Sequence, residues 1–352
     1  MIYALKIRKS SSLSIYIWRN ALFCSMPILP SLKKKQLITF TIKIAIVIGA
    51  TYFIYNKLMH NAQLDFNTFL SQVKTSKLFH SITIFILVFS TFLNWFLEIV
   101  KWKTLVNHIK TITFWQSTTH TLGSLTASLF TPNRIGEYGA KALYFPKAQR
   151  KRILGLNFLG NSAQLLATVV FGLIGFSFFV YEFSIELPWR KITRMIFLVV
   201  FFGGIFLLGS KQKRFQIKGF SWERLKSFIK KVGFSIHLKN ISFSVIRYLI
   251  FSHQFYFLLL VFGLNTSYGI TMSAITAMYL ITSVIPMLFI FDVVVKGSVA
   301  VWLFGYLHVP ELSILSVVLL MWILNFVFPS ILGSYFVLSF NTSTTEDKST
   351  AV

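Results

Sequence analysis

Acidic residues are scarce in this chain, which has 10 Asp and Glu residues against 35 Lys and Arg residues and a formal net charge of +25. A positive surplus of this size is typical of proteins that contact nucleic acid or an anionic membrane surface. Cysteine is rarer still, because Cys24 stands alone and excludes both an intramolecular disulfide and a cysteine-based zinc site. The seven histidines do not recur at helical spacing with a carboxylate or thiol, so we expect no metal site.

Familiar catalytic patterns are also missing. The chain has no glycine-rich phosphate loop ending in Lys and a hydroxyl residue, and no GxSxG or HExxH sequence. We therefore expect no ATP hydrolysis by such a loop and no bound cofactor. Enzymatic activity is not the favoured interpretation, although these absences do not decide the question.

Long apolar runs dominate the sequence. Hydrophobic residues make up 55% of 352 residues and the mean hydropathy is +0.68, too apolar for an ordinary soluble domain. Because the basic residues lie between these runs, we expect an anionic membrane partner and no nucleic acid. Runs of about 20 residues, enough to cross a hydrocarbon core about 30 Å thick, occur at 37–55, 79–100, 153–181, 192–210, 240–263 and 312–340.

Two further apolar regions, 112–145 and 270–307, are interrupted near their middles by proline together with glycine or charge. Backbone that breaks at membrane depth must be covered by protein or face a wet cavity, because lipid cannot satisfy its N–H and C=O groups. We therefore predict an all-α polytopic membrane protein, a helical bundle of about six spanning helices plus two re-entrant hairpins. The interrupting residues are Pro132, Gly136 and Gly139 in the first region and Pro286, Asp292 and Lys296 in the second.

Loop charges predict the topology, because cytoplasmic loops carry the Lys and Arg excess. Residues 1–36 contain seven basic and no acidic residues, and loop 211–239 contains nine basic residues and one acidic residue. Basic and nearly neutral segments alternate between the two sides of the membrane only if the two hairpins enter from opposite sides. Both termini are then expected in the cytoplasm, and the protein is expected in the plasma (inner) membrane. The remaining basic segments are 101–110 and 146–152, and the nearly neutral ones are 56–78, 182–194 and 264–269.

The predicted organisation has one membrane domain, residues 37–340, between a basic N-terminal segment and a polar cytoplasmic tail, 341–352. No cleavage site follows an apolar core, so we predict no signal peptide. Translation from Met26 is an alternative start. The basic loop 211–239, with aromatic residues interleaved, is expected to lie on the anionic inner leaflet.

The two predicted hairpins share a spacing. In each, a proline is followed five or six residues later by an acidic residue, and a lysine comes four residues after the acid. This indicates an internal repeat in inverted topology, as in secondary transporters, with chance similarity as the alternative. The matching sets are Pro132, Glu137 and Lys141, and Pro286, Asp292 and Lys296.

The first hairpin carries the strongest candidate binding residues. Pro132 is suited to starting a half-helix, whose free N–H groups and dipole favour an anion. Arg134 would add a guanidinium that grips phosphate at two points. Gly136 and Gly139 would let a backbone or a lipid headgroup come close.

Charged side chains at membrane depth complete the candidate substrate-binding set. A charge at the bilayer centre costs about 2.5–3.5 kcal/mol even on the lenient scale, which favours a functional reason for each. Glu137 and Lys141 are spaced to pair along a helix, and mutual neutralisation is their structural alternative. Asp292, Lys296 and Arg247 are the other candidates. Arg247 and Gln254 share one helix face that would point into the bundle, and bonding to a neighbouring helix is their structural alternative.

Two other polar groups are interpreted as structural. Glu98 is expected to pair with Lys101 rather than to contact a ligand. Asn157, Asn161 and Gln164 share a helix face, and hydrogen bonding to a neighbouring helix is their expected role.

Residues 131–141, Thr-Pro-Asn-Arg-Ile-Gly-Glu-Tyr-Gly-Ala-Lys, resemble the membrane domain of the lysylphosphatidylglycerol synthetase and flippase family. The likeness in spans and spacing runs over roughly residues 37–340, and it implies site roles for Pro132, Gly136 and Glu137. The second element departs from the family pattern, with Asp292 where a glycine-rich Glu element is typical. Two-part members join this domain to a cytoplasmic domain that attaches the amino acid, and that domain is not expected here.

The resemblance and the architecture together imply a lipid transporter or flippase-like protein. It would bind an anionic or zwitterionic phospholipid or lipid-linked headgroup within the bilayer and move it between leaflets. The alternative is an intramembrane transferase with Glu137 as base, or an accessory subunit acting on a lipid-linked envelope precursor. A homo-oligomer or a lipid-modifying enzyme partner stays open.

Overall fold

The computed structural model describes residues 71, 74, 77–129, 131, 135–186, 222–284 and 292–340. The chain divides into the units Met1–Ala45 and Ile46–Val352, and all described residues belong to the second. The described part contains helices and no strand. The helices are α1 (Ser81–Val106), α2 (Phe114–Ala127), α3 (Ile135–Leu143), α4 (Lys147–Glu182), α5 (Trp222–Lys231), α6 (Phe234–Val261), α7 (Tyr268–Val284), α8 (Asp292–Gly305), α9 (Glu311–Trp322) and α10 (Phe328–Ser339).

The predicted polytopic helical fold is confirmed. Within the described residues, α1, α4, α6 and the continuous stretch Glu311–Ser339 are long and apolar enough to cross a membrane. They correspond to the predicted spans 79–100, 153–181, 240–263 and 312–340. The predicted spans 37–55 and 192–210, the Met26 start and the tail lie outside the described residues.

Apolar side chains cover the outside of these helices. Phe85, Phe89 and Phe92 of α1 are exposed, as are Leu166 and Ile174 of α4. A water-soluble protein would bury most such side chains. The exposed apolar surface therefore identifies the faces that contact lipid, whereas Asn94 and Glu98 of α1 and Asn157 of α4 are buried.

Both interrupted regions are divided into two helices. Region 112–145 contains α2 and α3, which pack together, and region 270–307 contains α7 and α8, which also pack together. Helix α3 has nine residues, a length of about 14 Å that cannot cross the hydrocarbon core. The positions of Pro132 and Pro286 lie outside the described residues, and the opposed orientation and the inverted repeat stay predictions.

A π-helical segment, Ile323–Val327, joins α9 to α10. Pro329 lies at the start of α10 and has no N–H to donate to the carbonyl of Asn325, four residues earlier. The Trp95 indole of α1 donates to that carbonyl instead, at 3.1 Å. The π-helical turn therefore allows a hydrogen bond between α1 and the stretch Glu311–Ser339.

Close helix contact depends on glycine where α4 meets α7. A Cβ at Gly172 would lie 2.5 Å from Leu280 Cβ and 3.1 Å from the Thr276 carbonyl oxygen. Small residues of this kind let helices approach closely in membranes, where packing rather than the hydrophobic effect drives association. Gly172 therefore sets the distance between α4 and α7.

Replacing Gly172 by valine should lower the thermal stability of the detergent-purified protein. The added side chain would collide with α7, an overpacking that costs about 1–3 kcal/mol. Gly269→Val is the matched control, because a Cβ at Gly269 meets nothing within 4 Å. Equal melting temperatures for the two variants in a fluorescence-detected unfolding scan would contradict the close packing.

Candidate functional site

Three charged side chains meet inside the bundle at the carboxylate of Glu98. Lys101, one turn along α1, lies 2.8 Å from Glu98 Oε2. Arg247, from the middle of α6, forms an ion pair with the same oxygen. Glu98 and Lys101 are buried and Arg247 is partly buried, so two cations share one carboxylate that is largely shielded from water.

Arg247 is held in place by neutral groups as well. Its Nε donates to the backbone carbonyl of Asn94 at 3.1 Å and to the Asn94 side-chain oxygen at 3.0 Å. Its Nη1 also donates to Gln164 Oε1 of α4 at 3.3 Å. The guanidinium thus connects α1, α4 and α6, and its Nη2 group has no hydrogen-bond partner among the described residues.

A third ion pair comes from the first predicted hairpin. Lys141 Nζ lies 2.7 Å from Glu137 Oε1, so the predicted pairing along α3 is confirmed. Lys141 also donates to Asn157 Oδ1 of α4 at 2.9 Å and lies 4.3 Å from the centre of the Trp102 ring. The pair is therefore enclosed between α1 and α4.

The ion pairs of Glu98 and of Glu137 belong to one electrostatic neighbourhood. The charges of Arg247, Lys101 and Lys141 all act on the Glu98 carboxylate, and those of Arg247 and Lys141 act on Lys101. We call the five residues Glu98, Lys101, Glu137, Lys141 and Arg247 the charged cluster. Its three cations and two carboxylates leave one positive charge unbalanced within the described part of the chain.

Neutral polar side chains extend from the charged cluster toward the other end of α1. Asn94 donates to Asn325 Oδ1 at 3.0 Å, and Asn325 donates to Gln254 Oε1 at 2.8 Å. Gln254 in turn donates to Thr91 Oγ1 at 2.9 Å and to the Leu87 carbonyl at 3.0 Å. Arg247 and Gln254 therefore both point into the bundle and both bond to a neighbouring helix, and a binding role for Arg247 stays a prediction.

Several buried polar atoms near this network have no partner among the described residues. They include two donors beside Lys141, the Trp102 Nε1 and Asn157 Nδ2 groups, and the Ser244 and Tyr248 hydroxyls of α6. Buried polar groups are nearly always hydrogen-bonded in proteins. These atoms therefore mark a part of the interior that is suited to a polar ligand or to water.

The glycines of the first hairpin have different surroundings. The Gly136 N–H donates to Thr131 Oγ1 at 2.8 Å, and a Cβ there would lie 2.8 Å from that side chain and 3.3 Å from Ser128 Cα. The Gly136 N–H is therefore already hydrogen-bonded within the protein. The absence of a side chain at Gly136 allows the backbone to pass close to Ser128 and Thr131. Gly139 is exposed, with open space beside it.

The remaining candidates are only partly described. Pro132 and Arg134 lie outside the described residues. Asp292 is the first residue of α8. Lys296 is half-buried on α8, which packs against α7 and α9. Binding roles for these residues stay predictions.

Residues that our sequence reasoning missed lie mainly on α1. The expected pair of Glu98 and Lys101 is confirmed, but the link from Glu98 to Arg247 and the parts played by Asn94 and Asn325 were not expected. The available signal was the recurrence of polar residues at 91, 94, 98 and 101, a helical stripe within an otherwise apolar run. On α4, the inter-helix role predicted for Asn157 and Gln164 is confirmed by their bonds to Lys141 and to the Ser244 carbonyl.

Metal chemistry has no candidate within the part of the chain that the structure describes, where no three His, Cys, Asp or Glu residues come together. The chain matches a family model described as the lysylphosphatidylglycerol synthase TM region over residues 40–333. A search of curated proteins finds no significant match. The chain belongs to the lysylphosphatidylglycerol synthase TM-region family, which supports a lipid-related role in the membrane.

The charge balance around Glu98 predicts an asymmetric response to mutation. Glu98→Gln leaves Lys101 and Arg247 buried without their carboxylate, and removing one partner of a buried pair costs about 3–5 kcal/mol. Arg247→Gln leaves Glu98 paired with Lys101 and should cost less. Thermal unfolding in a neutral detergent measures both, and a larger loss for Arg247→Gln would contradict this account of the charges.

Proposed function

We propose that this protein binds the headgroup of a membrane lipid inside the bilayer and moves the lipid between leaflets of the plasma membrane. The observation that carries the proposal is the charged cluster, in which Glu98, Lys101 and Arg247 lie on helices long enough to span a membrane. Burying charge in such helices is costly, and charged groups kept there usually serve substrate or ion pathways.

The charges of the cluster suit an anionic headgroup. One unbalanced positive charge in a low-dielectric interior would be stabilised by a negative group. Lys101 and Arg247 share Glu98, and the Arg247 Nη2 group is available to a second acceptor. A phosphate oxygen would accept a charge-assisted hydrogen bond from this Nη2 group.

The polar network would give the headgroup a route through the bundle. From Lys101 to Thr91 the polar positions of α1 extend over ten residues, about 15 Å of helix. That is about half of a 30 Å hydrocarbon core. Stepwise exchange of hydrogen bonds along these side chains would lower the cost of moving a headgroup while its acyl chains stay in lipid.

The basic segments support an orientation with both termini in the cytoplasm. Helix α5 ends with Lys230 and Lys231 and packs against the start of α4. In this orientation α5 lies at the inner leaflet, whose anionic lipids attract basic residues. Because the sequence has no phosphate-loop motif, lipid movement would run downhill or be coupled to an ion gradient.

Leaflet exchange of fluorescent phospholipids in liposomes tests the proposal. Wild-type protein should exchange labelled phosphatidylglycerol, and Arg247→Gln or Lys141→Gln should slow exchange by at least about tenfold, equivalent to about 1.4 kcal/mol in the barrier. Lys151→Gln is the matched control, because Lys151 is exposed on α4.

Three results of this assay bear on the proposal. Exchange that survives in both cluster variants would mean that the cluster is structural. No exchange by wild type with phosphatidylglycerol, phosphatidylethanolamine and phosphatidylcholine would contradict transport itself. Loss of exchange in Lys151→Gln as well would show that the assay reports reconstitution rather than the site.

A further inference from the structure

We propose that a cavity between the end of α1 and the start of α6 is the site where an anionic lipid headgroup first binds before it reaches the charged cluster. This inference rests on the proposed function, and it adds a binding site and a ligand class. The cavity lies on the side of the bundle that the loop charges assign to the cytoplasm, so its lipid would come from the inner leaflet.

The cavity has a suitable size and position. It is an open cavity of about 480 Å³, lined by Thr104, Asn107 and His108 from the end of α1 and by Ile236 and Lys239 from α6. Ligand sites commonly measure about 300–1,000 Å³. The volume is large enough for a phosphoglycerol headgroup.

The lining of the cavity favours an anion. Lys239 is exposed and has no ion-pair partner among the described residues, and no carboxylate lines the cavity. The side-chain oxygen of Asn107 accepts from the Ile112 N–H at 3.0 Å, which leaves the Asn107 amide group as a donor. Lys239, Asn107 and His108 can therefore all donate hydrogen bonds to one phosphate.

The neighbouring surface favours a lipid over a free phosphate. Phe234, Leu238 and Ile241 of α6 are all exposed, with fractions of 82%, 54% and 41%. Leu238 directly precedes Lys239 and Phe234 begins the same helix, so apolar surface and the ammonium group adjoin. An amphiphile can place its phosphate in the cavity while its acyl chains cover these apolar side chains.

The cavity and the charged cluster share the same pair of helices. On α1, Lys101, Thr104 and His108 recur at i, i+3 and i+7, so they follow one face, and Thr104 is about 4.5 Å along the axis from Lys101. On α6, Arg247 lies eight residues after Lys239, about 12 Å along the axis. An anion that leaves the cavity along the α1–α6 contact therefore meets Lys101 and then Arg247.

Native mass spectrometry of the full-length protein in a neutral detergent tests the cavity directly. We would titrate phosphatidylglycerol into wild type, a Lys239→Gln/His108→Gln double variant and the Lys151→Gln control, with phosphatidylcholine as the neutral-headgroup comparison. The double variant should bind phosphatidylglycerol about tenfold more weakly, the loss expected when charge-assisted hydrogen bonds to phosphate are removed. The control should bind like wild type.

Other results would overturn the assignment. Equal phosphatidylglycerol affinity in wild type and the double variant would show that the cavity does not bind the lipid. Glycerol 3-phosphate that displaces phosphatidylglycerol at equal concentration would identify a free-phosphate site instead. Equal loss of phosphatidylcholine binding in the double variant would show that the cavity does not select an anionic headgroup.

The leaflet-exchange assay separates this inference from the proposed function. If wild type binds phosphatidylglycerol through Lys239 and His108 but exchanges no lipid, the result would contradict lipid transport and support the proposed binding site in the cavity. If wild type exchanges lipid and the double variant binds phosphatidylglycerol normally, the result would contradict only the proposed binding site in the cavity.

Discussion

The carboxylate of Glu98 is the interaction on which the interior of this protein depends. It holds Lys101 on its own helix and Arg247 on α6, in a region where an unpaired charge would be far more costly than in water. Arg247 extends the connection to Asn94 and Gln164. A single acidic side chain thereby determines how α1, α4 and α6 meet, in a chain that has only ten acidic residues.

The second constraint is local and comes from Pro329. Its missing N–H frees the Asn325 carbonyl, and the π-helical turn there also turns the Asn325 side chain toward Asn94 and Gln254. π-Helical turns inside α-helices are frequent at functional sites. Here the turn joins the polar residues of α1 and α6 to the last spanning stretch, so the polar network is continuous across three spans.

The sequence predicted features whose cause is local or is imposed by the bilayer. Span positions follow from the hydrocarbon thickness, and the Glu137–Lys141 pair follows from spacing along one helix. The Glu98–Arg247 pair could not be predicted in this way, because 149 residues separate its partners. Whether Arg247 reaches the Glu98 carboxylate depends on how α1 and α6 pack, and that packing has no short-range signature.

On the proposed function, the shared carboxylate would let one site both hold and release an anion. A phosphate that enters, as proposed, competes with Glu98 for Arg247 rather than filling an empty cationic pocket, so each attraction that it gains is offset by one that Glu98 loses. Transport requires binding that is strong enough to admit a ligand and weak enough to let it leave. Because Glu98 and Arg247 lie on different helices, the same competition would loosen the α1–α6 contact while the headgroup is bound, and departure of the headgroup would restore it.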